Sequence, residues 1–103
     1  MVCGPVQMVG IPGISIHRVA VACGAAGEFL GDAIHAGADV FVTGEMRFHD
    51  YLAAQAAGLA LLLPGHYATE RHGVEWLARW LGEHIPGIRA QASVRETDPV
   101  AWV

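Results

Sequence analysis

Apolar and polar positions divide the chain into short hydrophobic runs and longer stretches of helical periodicity. The runs at 16–23, 39–43, 59–63 and 88–94 predict four short strands, because apolar stretches of this length are typical of buried parallel strands. Residues 28–36, 46–57 and 66–85 predict three helices, each followed by a glycine or proline that ends it. This alternation predicts an α/β fold, a single layered domain with a mostly parallel sheet of about four strands flanked by three helices.

The first 15 residues interrupt this pattern. Residues 1–15 contain three glycines and two prolines without a clear period, which predicts an irregular lead-in. Residues 16–103 then form a single α/β lobe, since a chain of 103 residues holds one small domain. Its hydrophobic content of 53% and mean hydropathy of +0.38 are high for such a chain, and they predict apolar surface that another subunit or domain covers.

The last predicted helix carries both an apolar stripe and two candidate metal ligands. The stripe is expected to face the core, and it comprises Tyr67, Val74, Leu77, Ala78, Leu81 and Ile85. Glu70 falls on this stripe, and His66 lies at its edge, one turn earlier. An acid turned toward a core is costly unless a cation meets it. A His nitrogen and a Glu oxygen one turn apart can bind one metal ion. The alternative is a His–Glu contact at the helix start, where the helix dipole favours an acid.

Two further candidate sites follow the first and second predicted strands. Gly24 and Gly27 lie in a small-residue turn before a helix, where backbone N–H groups can bind an anion; a plain tight turn is the alternative. Glu45 and His49 share one flank of the next helix start and are candidates for catalytic or supporting roles, unless His49 is only an exposed residue of a capped helix. Because the carboxyl ends of parallel strands share one edge of the sheet, we expect these regions to converge with His66.

Charge and aromatic positions bear on the expected partners. The net charge of −4, without any lysine or basic patch, disfavours direct binding to nucleic acid. No apolar run approaches the roughly 20 residues of a membrane span, and no basic segment opens the chain, so we expect no membrane contact and a cytoplasmic location. Trp76 and Trp80 lie off the apolar stripe, where they serve either an interface that supports self-association or local packing under a loop.

Three motifs together resemble a known family. They are the stretch 19–24 with its turn to Gly27, the stretch 38–45 followed by His49 and Asp50, and the Gly-His-Tyr-Ala-Thr-Glu element at 65–70. Their order and spacing over residues 15–99 resemble the C-terminal portion of the dinuclear-metal-centre proteins called GTP cyclohydrolase I type 2 homologues, or Nif-three-like proteins.

The resemblance implies a metal site at a lobe interface inside a ring-shaped oligomer, often a hexamer. It maps His66 and Glu70 onto the family's C-terminal metal ligands, with Zn, Fe, Mn or Co as the ion. The family's other ligands, a paired His and an Asp, come from an N-terminal half, and this chain has no His-His pair. A separate N-terminal lobe is therefore an expected partner.

The resemblance implies the C-terminal lobe of a metal-dependent hydrolase that acts on a small molecule or nucleotide. This lobe would be catalytic if the missing ligands come from elsewhere. Two ions sharing a carboxylate would supply hydroxide at neutral pH, with His49 orienting the water and the Gly24 turn holding a phosphate. The alternative is a non-catalytic lobe that keeps an assembly surface or binds metal weakly.

Overall fold

Strands and helices alternate along the chain in a computed structural model that describes residues 4–103. The strands are β1 (Gln7–Val9), β2 (Val19–Val21), β3 (Val40–Val42) and β4 (Ala60–Leu63). The helices are α1 (Leu30–His35), which a 3-10 turn at Gly27–Phe29 precedes, α2 (Phe48–Ala56) and α3 (His66–His84). The α/β class and the three helices agree with the sequence-based prediction.

The sheet is mixed, which corrects the expectation of a mostly parallel one. Its strand order is β1-β4-β3-β2, with β2 parallel to β3 and β3 parallel to β4. Strand β1 pairs antiparallel with β4, so that Met8 lies opposite Leu62. The lead-in expected to be irregular therefore contains an edge strand. The predicted strand at 88–94 is wrong, because those residues form no strand and the edge of β4 is already paired with β1.

The core lies on the two central strands. Phe41 on β3 and Leu61 and Leu63 on β4 are fully buried, and they pack with residues of the flanking helices and turns, namely Ala26, Leu30, Ala33, Met46, Ala54 and Leu59. Strand β2 is an edge strand with Val19 and Val21 exposed, so the expectation that it is buried on both faces is wrong.

Helix α3 contributes no residue to the buried core. None of its residues is buried, and Val74, Leu77 and Ile85 of the predicted core stripe are exposed. The prediction that this stripe faces the core of the lobe is therefore wrong, although the bounds of the helix agree with it. Within residues 4–103, no helix is both long and apolar enough to cross a membrane.

Candidate functional site

Backbone hydrogen bonds tie together the turns that follow β2, β3 and β4. The Gly24 carbonyl accepts hydrogen bonds from the Thr43 hydroxyl at 2.8 Å, from the Gly44 N–H at 2.9 Å and from the Glu45 N–H at 3.2 Å. The Gly65 N–H in turn donates to the Gly44 carbonyl at 3.0 Å. The convergence expected from the parallel strand order is confirmed at this edge of the sheet.

Gly44 lies at the centre of this junction and has no room for a side chain. A Cβ atom there would lie 2.8 Å from the Gly24 carbonyl oxygen and 3.5 Å from the His66 Cα. Gly24 and Gly65 have φ angles of +77° and +88°, values that L side chains rarely adopt. Glycines at these positions let the start of α3 approach the two neighbouring turns closely.

His66 lies between two carboxylates at this junction. Its Nδ1 atom is 2.9 Å from Oε1 of Glu70, one turn further along α3, and its Nε2 atom is 3.2 Å from Oε1 of Glu45. All three side chains are about half exposed to solvent. The predicted His66–Glu70 pair therefore forms, and Glu45 contacts the opposite side of the same ring.

The two carboxylates favour the protonated imidazole. The hydrogen bond to Glu70, followed by that to Glu45, raises the pKa of His66 above its usual value, and partial desolvation opposes the rise. A neutral imidazole has one N–H and can donate to only one of the two carboxylates, whereas the imidazolium donates to both. Metal binding at His66 therefore competes with protonation of the imidazole.

The donor atoms fit a divalent ion only as part of a site. With metal–ligand distances of about 2.1 Å, the His66 nitrogen and Glu70 oxygen, 2.9 Å apart, would subtend roughly 90° at one ion. Throughout residues 4–103, however, no group of three or more His, Cys, Asp or Glu side chains is arranged to hold a metal. Glu45 lies on the other ring nitrogen, so the remaining ligands would have to come from water or from other residues.

Three of the other predicted site residues, Gly27, Glu45 and His49, line a neighbouring cavity of about 760 Å³. His49 is largely exposed, and its Nε2 atom lies 3.5 Å from Oδ1 of Asp50; Glu45 borders both this cavity and the His66 site. A Cβ atom on Gly27 would lie 2.5 Å from Oδ2 of Asp50. Anion binding at the Gly24–Gly27 turn stays a prediction, and the carboxylate beside Gly27 weighs against it.

Sequence reasoning did not identify the C-terminal segment as part of this site. Asp98 and Trp102 line a second cavity, of about 420 Å³, together with Glu45, His66 and Glu70. No sequence signal identifies these residues, because they are far from His66 along the chain and have no periodic relation to it.

The two predicted interface tryptophans are exposed on α3. Trp76 and Trp80 stack with ring centroids 6.4 Å apart, and Trp80 stacks on His84 at 4.5 Å. Trp76 is 58% exposed and Trp80 is 39% exposed, so an interface role stays a prediction.

Comparison with known proteins places these features in one family. Over 73 residues the chain is 38% identical to the GTP cyclohydrolase 1 type 2 homolog of Pseudomonas aeruginosa, covering 71% of this chain and 29% of that protein. It is 41% identical over 76 residues to the protein of the same name from Neisseria meningitidis serogroup B, covering 74% of this chain and 30% of that protein.

A solved structure extends the similarity to almost the whole chain. The crystal structure of a Bacillus cereus protein related to NIF3 superposes with a TM-score of 0.79 at 28% identity, covering 98% of this chain and 29% of that one. The chain thus spans about three tenths of the length of these relatives. The sequence profile of the Duf34/NIF3 (NGG1p interacting factor 3) family matches residues 1–99. This chain belongs to the Duf34/NIF3 family.

Proposed function

We propose that this chain is the C-terminal lobe of a divalent-metal-binding protein in which His66 and Glu70 supply part of the metal site. The observation that carries the proposal is the 2.9 Å approach of the two donor atoms at the junction of three turns. The imidazole and carboxylate donors suit Zn, Fe, Mn or Co, so the donor set does not select one of these ions.

The remaining ligands come from outside this lobe in our proposal. The chain spans 29% and 30% of the length of two curated relatives, which leaves room for a separate N-terminal lobe in a protein of their length. Exposure of His66, Glu70 and Glu45 supports this arrangement, because an open half-site can be covered by a second lobe.

The activity that we propose for the assembled protein is metal-dependent hydrolysis of a small molecule or nucleotide. A bound divalent ion would lower the pKa of its water and supply hydroxide near neutral pH. Glu45 and His49 border the cavity of about 760 Å³ beside the site, where they can hold a substrate or transfer a proton. The relatives' name, GTP cyclohydrolase 1 type 2 homolog, makes a guanine nucleotide the first substrate to test.

Zinc titration by calorimetry at neutral pH tests the metal site in this chain. We expect wild type to bind Zn²⁺ with release of protons, and His66→Ala and Glu70→Gln each to weaken binding by about tenfold or more. His72→Ala is the matched control, because His72 is an exposed histidine on the same helix. If both site variants bind like wild type, the proposal is wrong; if wild type binds no Zn²⁺, the second candidate below is favoured.

A second candidate is a non-catalytic lobe that serves in assembly. The exposed stack of Trp76, Trp80 and His84 on α3 favours it, since large aromatic side chains are enriched in interfaces. Self-association without Zn²⁺ binding would support this candidate over the first.

A further inference from the structure

The helix that carries both candidate ligands has little to hold it in place. No residue of α3 is buried, no side chain caps its N-terminus, and its first turn lacks an acid. At its start, the Gly65 N–H donates to the Gly44 carbonyl at 3.0 Å, and the Thr69 hydroxyl donates to the Gly65 carbonyl at 2.9 Å. These bonds hold Gly65 and the first turn of the helix, and neither of them connects Glu70 to another element.

The C-terminal segment 93–102 supplies the missing contacts. The Arg71 guanidinium donates to the Glu96 carboxylate and to the Ser93 carbonyl, and its Nε atom lies 3.3 Å from Oε1 of Glu75. The Tyr67 hydroxyl donates to the Glu96 carbonyl at 3.3 Å. Both donors belong to the first two turns of α3, on either side of Glu70 in the sequence.

The same segment forms one wall of the cavity at His66. The Trp102 ring lies 3.8 Å from the point that a Cβ atom on Gly65 would occupy, and Asp98 lines the cavity beside it. The Asp98 carboxylate accepts a hydrogen bond from the Val100 N–H at 2.9 Å, which closes a local turn in this wall. The segment therefore contacts α3 on both sides of the candidate ligands.

We propose that the C-terminal segment 93–102 belongs to the candidate site and that Arg71 is a positioning residue. By binding Glu96 and Ser93, Arg71 fixes the second turn of α3 and so holds Glu70 opposite His66. The side chain of Arg71 is only 17% exposed, which is low for an arginine on a helix with no buried residues. This inference rests on the proposed metal site for its functional consequence, whereas the contacts themselves are independent of any metal.

Hydrogen exchange of the amides at 69–74, together with Zn²⁺ affinity, tests the inference on the full chain. We expect Arg71→Met and Glu96→Gln each to speed this exchange and to weaken Zn²⁺ binding about threefold, as for the loss of one partly exposed ion pair. The double variant should show no change beyond that of Arg71→Met, because this substitution already removes the Arg71–Glu96 contact. Arg71→Lys should recover part of both effects, since lysine keeps the charge but not the planar fork.

The matched control is Arg79→Met, which removes an exposed arginine two turns further along α3. We expect it to leave both measurements at the wild-type value. The inference is overturned if Arg71→Met leaves exchange at 69–74 unchanged, or if exchange in α2 accelerates by the same factor. If wild type binds no Zn²⁺, the non-catalytic assembly lobe is favoured as the function, and the exchange rates alone decide whether Arg71 positions this turn.

Discussion

Hydrogen bonds shift the pKa values of His66 and Asp39 in opposite directions. Hydrogen bonds to the charged form of a side chain stabilise that form, so they raise the pKa of a base and lower that of an acid. For His66 the partners are the Glu70 and Glu45 carboxylates. For Asp39 they are the backbone N–H groups of His17 and Arg18, at 2.8 and 2.7 Å, which lower the pKa of the carboxyl.

Asp39→Asn should remove a pH-dependent part of the stability. The pKa of Asp39 is lower in the folded chain than its usual value of 3.8, so its contribution is present above that value. It is lost as the pH falls through the folded pKa. We expect wild type to exceed the variant in free energy of unfolding at neutral pH, and the difference to shrink in acid, measured by urea titration across pH. Glu83→Gln, an exposed acid on α3, is the control; a difference that grows in acid would contradict the assignment.

At the scale of elements, the site depends on three turns that approach one another more closely than side chains allow. Gly44 donates to the Gly24 carbonyl and accepts from the Gly65 N–H, so it joins the turns after β2 and β4. The position of His66 is therefore set by the sheet through backbone hydrogen bonds, whereas the position of Glu70 depends on the helix that follows.

Gly44→Ala should disrupt this junction. The new methyl group would lie 2.8 Å from the Gly24 carbonyl oxygen, which forces the turns apart. We expect a loss of about 1–3 kcal/mol in the free energy of unfolding, as for other overpacked sites. Gly82→Ala, inside α3 with open space at its Cβ position, should instead stabilise by about 0.5–1 kcal/mol. Chemical denaturation measures the change in free energy of unfolding for both variants. If Gly44→Ala and Gly82→Ala change it equally, the close approach of the turns at Gly44 is contradicted.

Apolar runs and helical spacing in the sequence predicted the elements whose burial and periodicity are local properties. The apolar runs around Phe41 and Leu61 predicted β3 and β4, because central strands are buried on both faces. The spacing of His66 and Glu70 predicted their contact, because the turn of a helix fixes it. Strand β1 was not predicted, because three residues are too few to show a period and its pairing partner is distant.

Local sequence patterns did not predict the contacts between segments that are distant along the chain. The run at 88–94 has strand-like composition, but the antiparallel β1 takes the open edge of β4. Likewise, the Arg71–Glu96 pair joins residues that no local rule connects. The stripe on α3 is apolar as predicted, but it does not face the core of the lobe, because periodicity does not specify which surface a helix contacts.

At the scale of the whole molecule, two of the surfaces that expose large apolar side chains lie on regular elements, β2 and α3. The edge strand β2 presents Val19 and Val21, and α3 presents Val74, Leu77 and its tryptophans. Surfaces of this kind are typical of a protein contact. Since the chain spans only about three tenths of its relatives' length, another lobe or another copy can cover them.

Self-association through α3 is the outcome that we expect for this chain. Light scattering across a concentration series should show a species larger than the monomer, and Trp76→Ser and Trp80→Ser should each weaken association by about 2 kcal/mol, as at interface hot spots. Phe48→Ser is the matched control, because Phe48 is an aromatic residue on α2 that is more exposed than either tryptophan, 72% accessible to solvent. If wild type stays monomeric at every concentration, the aromatic face of α3 does not bind a second copy, and a separate lobe becomes its expected partner.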